Sequence, residues 1–208
     1  MFDHLRNEDK ILFEQLGRIA AYLARAAELL ERRLAGPRSA AAGIALEVRA
    51  LGAQPAIRYD DVDVRAFTGF SMRLDPAQYR ELAMALDSAA EAVREATAHV
   101  ESLGVSAAPE GVRAFAHTLS RAAAALQIAV PFAGEGWDDE GPRSASEVER
   151  RADEGEALYI DGVGALFAGA PDPMHVLRWK DVYDKLRHGL WSCARAASVL
   201  DQLARANA

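Results

Sequence analysis

The chain is organised around the stretch Tyr159–Leu200, which reads YIDGVGALFAGAPDPMHVLRWKDVYDKLRHGLWSCARAASVL. Asp172-Pro173 predicts a helix start, because an Asp at the cap accepts hydrogen bonds from free backbone N–H groups and Pro fits the first turn. Apolar residues then recur every three or four positions, at Leu186, Leu190, Cys193, Ala197 and Leu200. One apolar stripe therefore runs down a single long helix, which must pack against other helices of similar length.

The same spacing of apolar residues predicts three further long helices. Helix one spans Asp9–Leu34, helix three begins at Asp75-Pro76 and ends at Gly104, and helix four begins at Pro109-Glu110. Glycine is the usual residue just past a helix C-terminus, because it adopts the left-handed conformation without a steric cost. With helix six, these elements indicate an all-α protein.

Helices two and five are marked by their breaks and caps. Helix two begins near Ser39, and a glycine and a proline predict a kink or break between Leu51 and Ile57. Helix five follows an acidic loop, Gly134–Arg143, in which Trp137 is either a partner-binding aromatic residue or a loop anchor. Two capping boxes predict the start of helix five: Ser144 with Glu147, and Ser146 with Glu149.

Composition and charge limit the function. The 208 residues are 50% hydrophobic and 26% charged, which suits a single folded domain, 1–208, and the net charge of −7 argues against nucleic acid as the main partner. No apolar run reaches the roughly 18 residues that a membrane span needs. The polar N-terminus and the lone Cys193, which can form no internal disulfide, favour a cytoplasmic protein. Cys193 lies on an apolar seam and is predicted to be a core residue rather than a nucleophile.

The C-terminal stretch resembles the last two helices of the PhoU-like family of phosphate-transport accessory proteins, a domain-of-unknown-function group often encoded beside Pit-type phosphate permeases. The matching residues are Tyr159, Leu166-Phe167, Asp172-Pro173, Trp179-Lys180, Tyr183, Cys193 and Ala197. A second match covers Phe70 through Glu91. The resemblance implies six long helices arranged as two repeated three-helix units, 9–104 and 109–206, that form an elongated bundle.

A weak internal repeat agrees with that duplication. Phe70 precedes Asp75-Pro76 by five residues, and Phe167 precedes Asp172-Pro173 by the same interval. The alternative is that both sites use common helix-start chemistry independently.

The resemblance also implies acidic pairs, four residues apart on helices two, three, five and six, that bind metal ions. Carboxylates at this spacing share a helix face and can bridge cations between facing helices. Here only helix three keeps both, as Asp87 and Glu91, and helix five keeps one, Glu156. The remaining positions carry Gly52, Ala56, Ala152, Arg187 and Trp191.

We therefore predict degenerate metal sites, because an arginine and a tryptophan oppose a cation by charge and by bulk. A weakly bound divalent or ferric ion at Asp87, Glu91 and Glu156 is one alternative, and a solvated helix face is the other. In a shifted register the acids would instead be Asp60, Asp61, Asp63, Glu149 and Asp153.

No catalytic motif is present, so the sequence predicts a protein that is not an enzyme and needs no cofactor. The resemblance implies an accessory or regulatory role in inorganic phosphate transport, with a phosphate permease or another protein as partner. A homo-oligomer is also compatible with long helix faces. Two other classes remain open: a carboxylate-bridged metal-binding helical protein, and a purely structural helical interaction module.

Overall fold

The computed structural model describes residues 2–36, 43–44, 46–48, 50, 76–104, 108–135, 140–169 and 171–207. The long helices are α1 (Phe2–Ala35), α3 (Pro76–Leu103), α4 (Glu110–Glu135), α5 (Glu140–Leu166) and α6 (Pro173–Asn207). The helical residues among 43–50 belong to α2. No strand occurs in this part of the chain, so the predicted all-α class and the six helices are confirmed.

The helix ends predicted from Asp172 and Gly104 are confirmed in atomic detail. The Asp172 carboxylate accepts a hydrogen bond from the backbone N–H of Met174 at 3.1 Å, and its carbonyl accepts one from Val176 at 3.1 Å. Gly104 follows α3 with a φ of 59°, and its N–H donates to the carbonyl of Glu101 at 3.2 Å. Both ends therefore satisfy backbone groups that the helices leave open.

One predicted helix was too short, and one predicted loop included helical residues. α1 begins at Phe2 instead of Asp9, because neither glycine nor proline interrupts the chain between these residues. α4 continues to Glu135, past Pro131, which lies inside the helix. Of the predicted acidic loop, Gly134 and Glu135 belong to α4 and 140–143 belong to α5, while residues 136–139, Trp137 among them, lie outside the described residues.

The predicted start of α5 was wrong. The helix begins at Glu140, so Ser144 and Ser146 lie inside it and do not cap it. Pro142 occupies the first turn, where its missing N–H costs no hydrogen bond. Glu147, the expected partner of Ser144, instead accepts hydrogen bonds from two arginines that follow it in the helix. The predicted kink in α2 between residues 51 and 57 lies outside the described residues.

α1, α3, α4 and α6 supply most of the core. α1 packs against α4 and α3, and α6 packs against the same two helices, while α5 lies on α4 and α6. One continuous apolar cluster joins residues of α1, α3, α4, α5 and α6. α6, at 35 residues, extends for about 52 Å, which makes the bundle elongated. The division into units 9–104 and 109–206 stays a prediction.

α2 and the first turn of α3 each make a separate contact with α1. Ile44 and Val48 of α2 pack with Leu29 of α1 in a separate apolar cluster. The buried Tyr79 hydroxyl donates to the carbonyl of Leu12 at 2.9 Å and so ties α3 to α1. No helix in the described ranges has an apolar stretch that would cross a bilayer.

Glycines bring α5 unusually close to α6. A Cβ added at Gly155 would lie 2.0 Å from the Leu190 Cδ2, and one at Gly162 would lie 2.2 Å from the Tyr183 hydroxyl oxygen. The Tyr183 ring is buried between these helices, with its centroid 6.4 Å from that of Tyr159. This close approach fixes which side chains of α5 and α6 face each other.

Cys193 is confirmed as a core residue, which leads to a simple chemical prediction. The side chain is fully buried on α6, and burial raises the pKa of its thiol to about 12. Because the thiolate is the reactive form, native protein at pH 8 should not react with a thiol reagent such as DTNB. Unfolding in guanidinium should release one reactive thiol. If the native protein were labelled stoichiometrically, and as fast as free cysteine reacts with the reagent, the result would contradict the packing of α6.

Candidate functional site

The structure brings together the four positions on α5 and α6 that the sequence singled out. Ala152, Glu156, Arg187 and Trp191 all line one cleft of 360 Å³. Its apolar walls are completed by Phe115, Gly155 and Leu190. Residues four apart on each helix thus face one another, as the resemblance implied, although only one of the four is acidic.

Glu156 and Arg187 form a two-pronged ion pair across this cleft. The Arg187 Nε donates to Glu156 Oε2 at 2.8 Å, and a terminal nitrogen donates to Oε1 at 2.6 Å. The hydrogen bonds from Arg187 to Glu156 raise the pKa of the guanidinium. The guanidinium also lies over the Tyr159 ring, 4.5 Å from its centroid, in a cation–π contact. Arg187 therefore joins α6 to two residues of α5.

A second group of polar side chains continues the contact between these helices. The Tyr159 hydroxyl donates to Asp184 Oδ1 at 2.7 Å, and the Lys180 ammonium donates to Oδ2 at 2.6 Å. Burial raises the pKa of Asp184, but the hydrogen bonds from Lys180 and Tyr159 outweigh it and leave the pKa below its usual value. We call Glu156, Tyr159, Lys180, Asp184 and Arg187 the α5–α6 clasp.

Sequence reasoning missed Asp184 and the contacts that hold this clasp together, although it named the other four residues. Lys180 and Asp184 stand four apart on one helix, a spacing that favours an ion pair and was visible in the sequence. The bond from Tyr159 to Asp184 joins different helices and had no local signal. It depends on the relative rotation of α5 and α6.

The predicted acids of α3 lie in a different place. Asp87 and Glu91 are exposed and line a second cleft, of 310 Å³, together with Ser88, Glu95 and His188. Arg94 donates to Glu91 at 2.7 Å. The helix-two positions Gly52 and Ala56, and the alternative acids Asp60, Asp61 and Asp63, lie outside the described residues.

The residues of the α5–α6 cleft do not fit a bound cation. Its single carboxylate, Glu156, accepts hydrogen bonds from Arg187 on both oxygens. Glu149 and Asp153, the alternative acids of α5, are exposed and do not line the cleft. Among the described residues, no group of three or more His, Cys, Asp or Glu is arranged to hold a metal. A weak site at Asp87 and Glu91 stays a prediction.

The fold defines an all-helical bundle of the PhoU-like type. A PhoU-like phosphate regulatory protein from Shewanella oneidensis MR-1 matches with a TM-score of 0.68 and 17% identity, over 94% of this chain and 98% of that one. The phosphate transport system regulatory protein PhoU from Streptococcus pneumoniae matches with a TM-score of 0.56 and 14% identity, over 98% and 96%. No protein-family model and no curated protein sequence matches this chain. At these identities the likeness establishes the fold.

Proposed function

We propose that the protein regulates inorganic phosphate transport as a non-enzymatic accessory protein. The observation that carries this proposal is the match, over nearly the whole of both chains, to a PhoU-like phosphate regulatory protein. The sequence resemblance to the same family in α5 and α6 supports it independently. The finer proposal is a cytoplasmic protein that acts on a Pit-type permease.

The surface at the α5–α6 turn is suited to binding a partner protein. Large apolar side chains are exposed on both arms of the turn, at Ile160 and Phe167 of the first arm and at Met174 and Leu177 of the second. Exposed apolar residues that recur in one region mark interaction surfaces. We propose that the transport protein contacts this turn.

The experiment compares phosphate uptake and association in one set of strains. Deletion of the gene should change the uptake of radioactive phosphate, and the tagged protein should retain a Pit-type permease. The variant Phe167→Ser/Leu177→Ser should fold, because both side chains are already exposed, but should lose the permease and fail to complement. A matched control, Gln127→Ser/Gln202→Ser, changes exposed residues elsewhere and should complement.

The outcome also separates the alternative functions. Unchanged uptake after deletion, together with no retention of the permease, would contradict the regulatory proposal and favour a purely structural module. A carboxylate-bridged metal protein would require acids that the α5–α6 cleft lacks.

A further inference from the structure

The α5–α6 cleft already contains a positive charge, which is carried by the side chain of Arg187. The guanidinium of Arg187 is planar and presents two parallel N–H groups, which match the two oxygens of the Glu156 carboxylate. The same group covers the face of the Tyr159 ring. Both contacts run from α6 to α5, so a single side chain links the helices at two residues.

The charges around this guanidinium are arranged in alternation. Glu156 is negative, Arg187 is positive, Asp184 is negative and Lys180 is positive, and the Tyr159 ring and hydroxyl connect the two ion pairs. Arg187 also acts electrostatically on Asp184 and lowers its pKa. This part of the junction thus balances its own charges.

The other two cleft positions supply no ligand for a metal. Ala152 has no side-chain oxygen, and the Trp191 indole stands one turn beyond Arg187 on α6, 68% exposed. A divalent or ferric ion in the cleft would meet a fixed positive charge within a few ångströms and one carboxylate whose oxygens are already engaged.

We propose that the Arg187 guanidinium takes the place of a bridging metal ion. The guanidinium holds α5 to α6 through Glu156 and Tyr159, so this junction needs no metal. Arg187 has a positioning role here. Its loss should loosen the contact between the helices, and only its replacement by acids should create a need for metal.

The experiment uses the full chain with Asp87→Asn and Glu91→Gln as a common background, so that the α3 acids cannot contribute. In this background the gain variant carries Ala152→Glu, Arg187→Glu and Trp191→Glu. Melting temperature is measured with excess Mg²⁺, Zn²⁺ or ferric citrate and again with EDTA, and bound metal is determined by elemental analysis after dialysis.

The background protein should melt at the same temperature with metal and with EDTA, and should retain no stoichiometric metal. In EDTA the gain variant should melt at a lower temperature than the background protein. At least one metal should raise its melting temperature, and the variant should retain that metal after dialysis. Metal retention by the background protein that is abolished by Glu156→Gln would overturn the proposal. So would a folded gain variant that takes up none of the metals.

A second set of variants keeps the proposal falsifiable if the gain variant does not fold. Glu156→Gln and Arg187→Gln should each lower the melting temperature, and the double variant should lose less than the sum of the two. Strictly additive losses would show that the two residues do not act as one bridge, and would contradict the proposal.

Discussion

Replacement of Trp179 with alanine is expected to lower the free energy of unfolding by about 3–5 kcal/mol. Trp179 is the largest of the fully enclosed side chains, with 2% of its surface exposed, and lies on α6 within the continuous apolar cluster. Truncation removes its apolar contacts and leaves a cavity that the rigid helices can only partly close. Urea denaturation followed by circular dichroism measures the loss.

A second tryptophan on the same helix provides the matched control. Trp191 is 68% exposed, so Trp191→Ala should change the free energy of unfolding by less than about 0.5 kcal/mol. The chemical change is identical in the two variants, and only burial differs. Equal losses would mean that Trp179, and not only Trp191, lies on the exposed face of α6.

The second large effect concerns the close approach of α5 to α6. A Cβ at Gly162 would lie 2.2, 2.4 and 2.7 Å from three atoms of the Tyr183 side chain, and that ring is itself enclosed. Gly162→Ala should therefore destabilise the protein by about 2 kcal/mol, because the strain of overpacking exceeds the roughly 1 kcal/mol gain in helix propensity. Gly164→Ala, with no atom within 4 Å of its added Cβ, should instead stabilise it by about 0.5–1 kcal/mol.

Removal of the Tyr183 hydroxyl tests this geometry atom by atom. A Cβ at Gly111 would meet the hydroxyl oxygen at 2.4 Å, but the next ring atom only at 3.7 Å. Tyr183→Phe should therefore rescue Gly111→Ala, whereas Gly162→Ala should remain destabilised because ring carbons also lie too close. Thermal melts of the two double variants make the comparison. Equal rescue of both would place the ring elsewhere.

Long apolar stripes and strong start and stop signals made most of the fold predictable. Asp172 and Gly104 each satisfy backbone groups at a helix end, and such local chemistry can be read without tertiary information. The start of α5 was predicted wrongly because two local signals compete within five residues. Pro142 in a first turn and Ser144 at a cap favour different helix starts, and the helix begins at Glu140, with Gly141 and Ala145 buried.

The candidate site was predictable only in part. The resemblance singled out Ala152 and Glu156 on α5, and Arg187 and Trp191 on α6. Helical periodicity then placed each pair on one face of its helix. The contacts of Arg187 with Tyr159, and of Tyr159 with Asp184, depend on how α5 is rotated against α6. That rotation is set by glycines whose partners lie far away in the sequence, which no local pattern encodes.

The glycine contacts also limit how this part of the molecule can move. Leu190 and Tyr183 enter two notches in α5, at Gly155 and Gly162, which stand seven residues apart. Sliding of one helix along the other would push both side chains into the backbone of α5. The two helices must therefore move together as one rigid unit. A displacement of their connecting turn would then move α6 as a whole against α3, which it contacts from Asp181 near its start to Arg195 near its end.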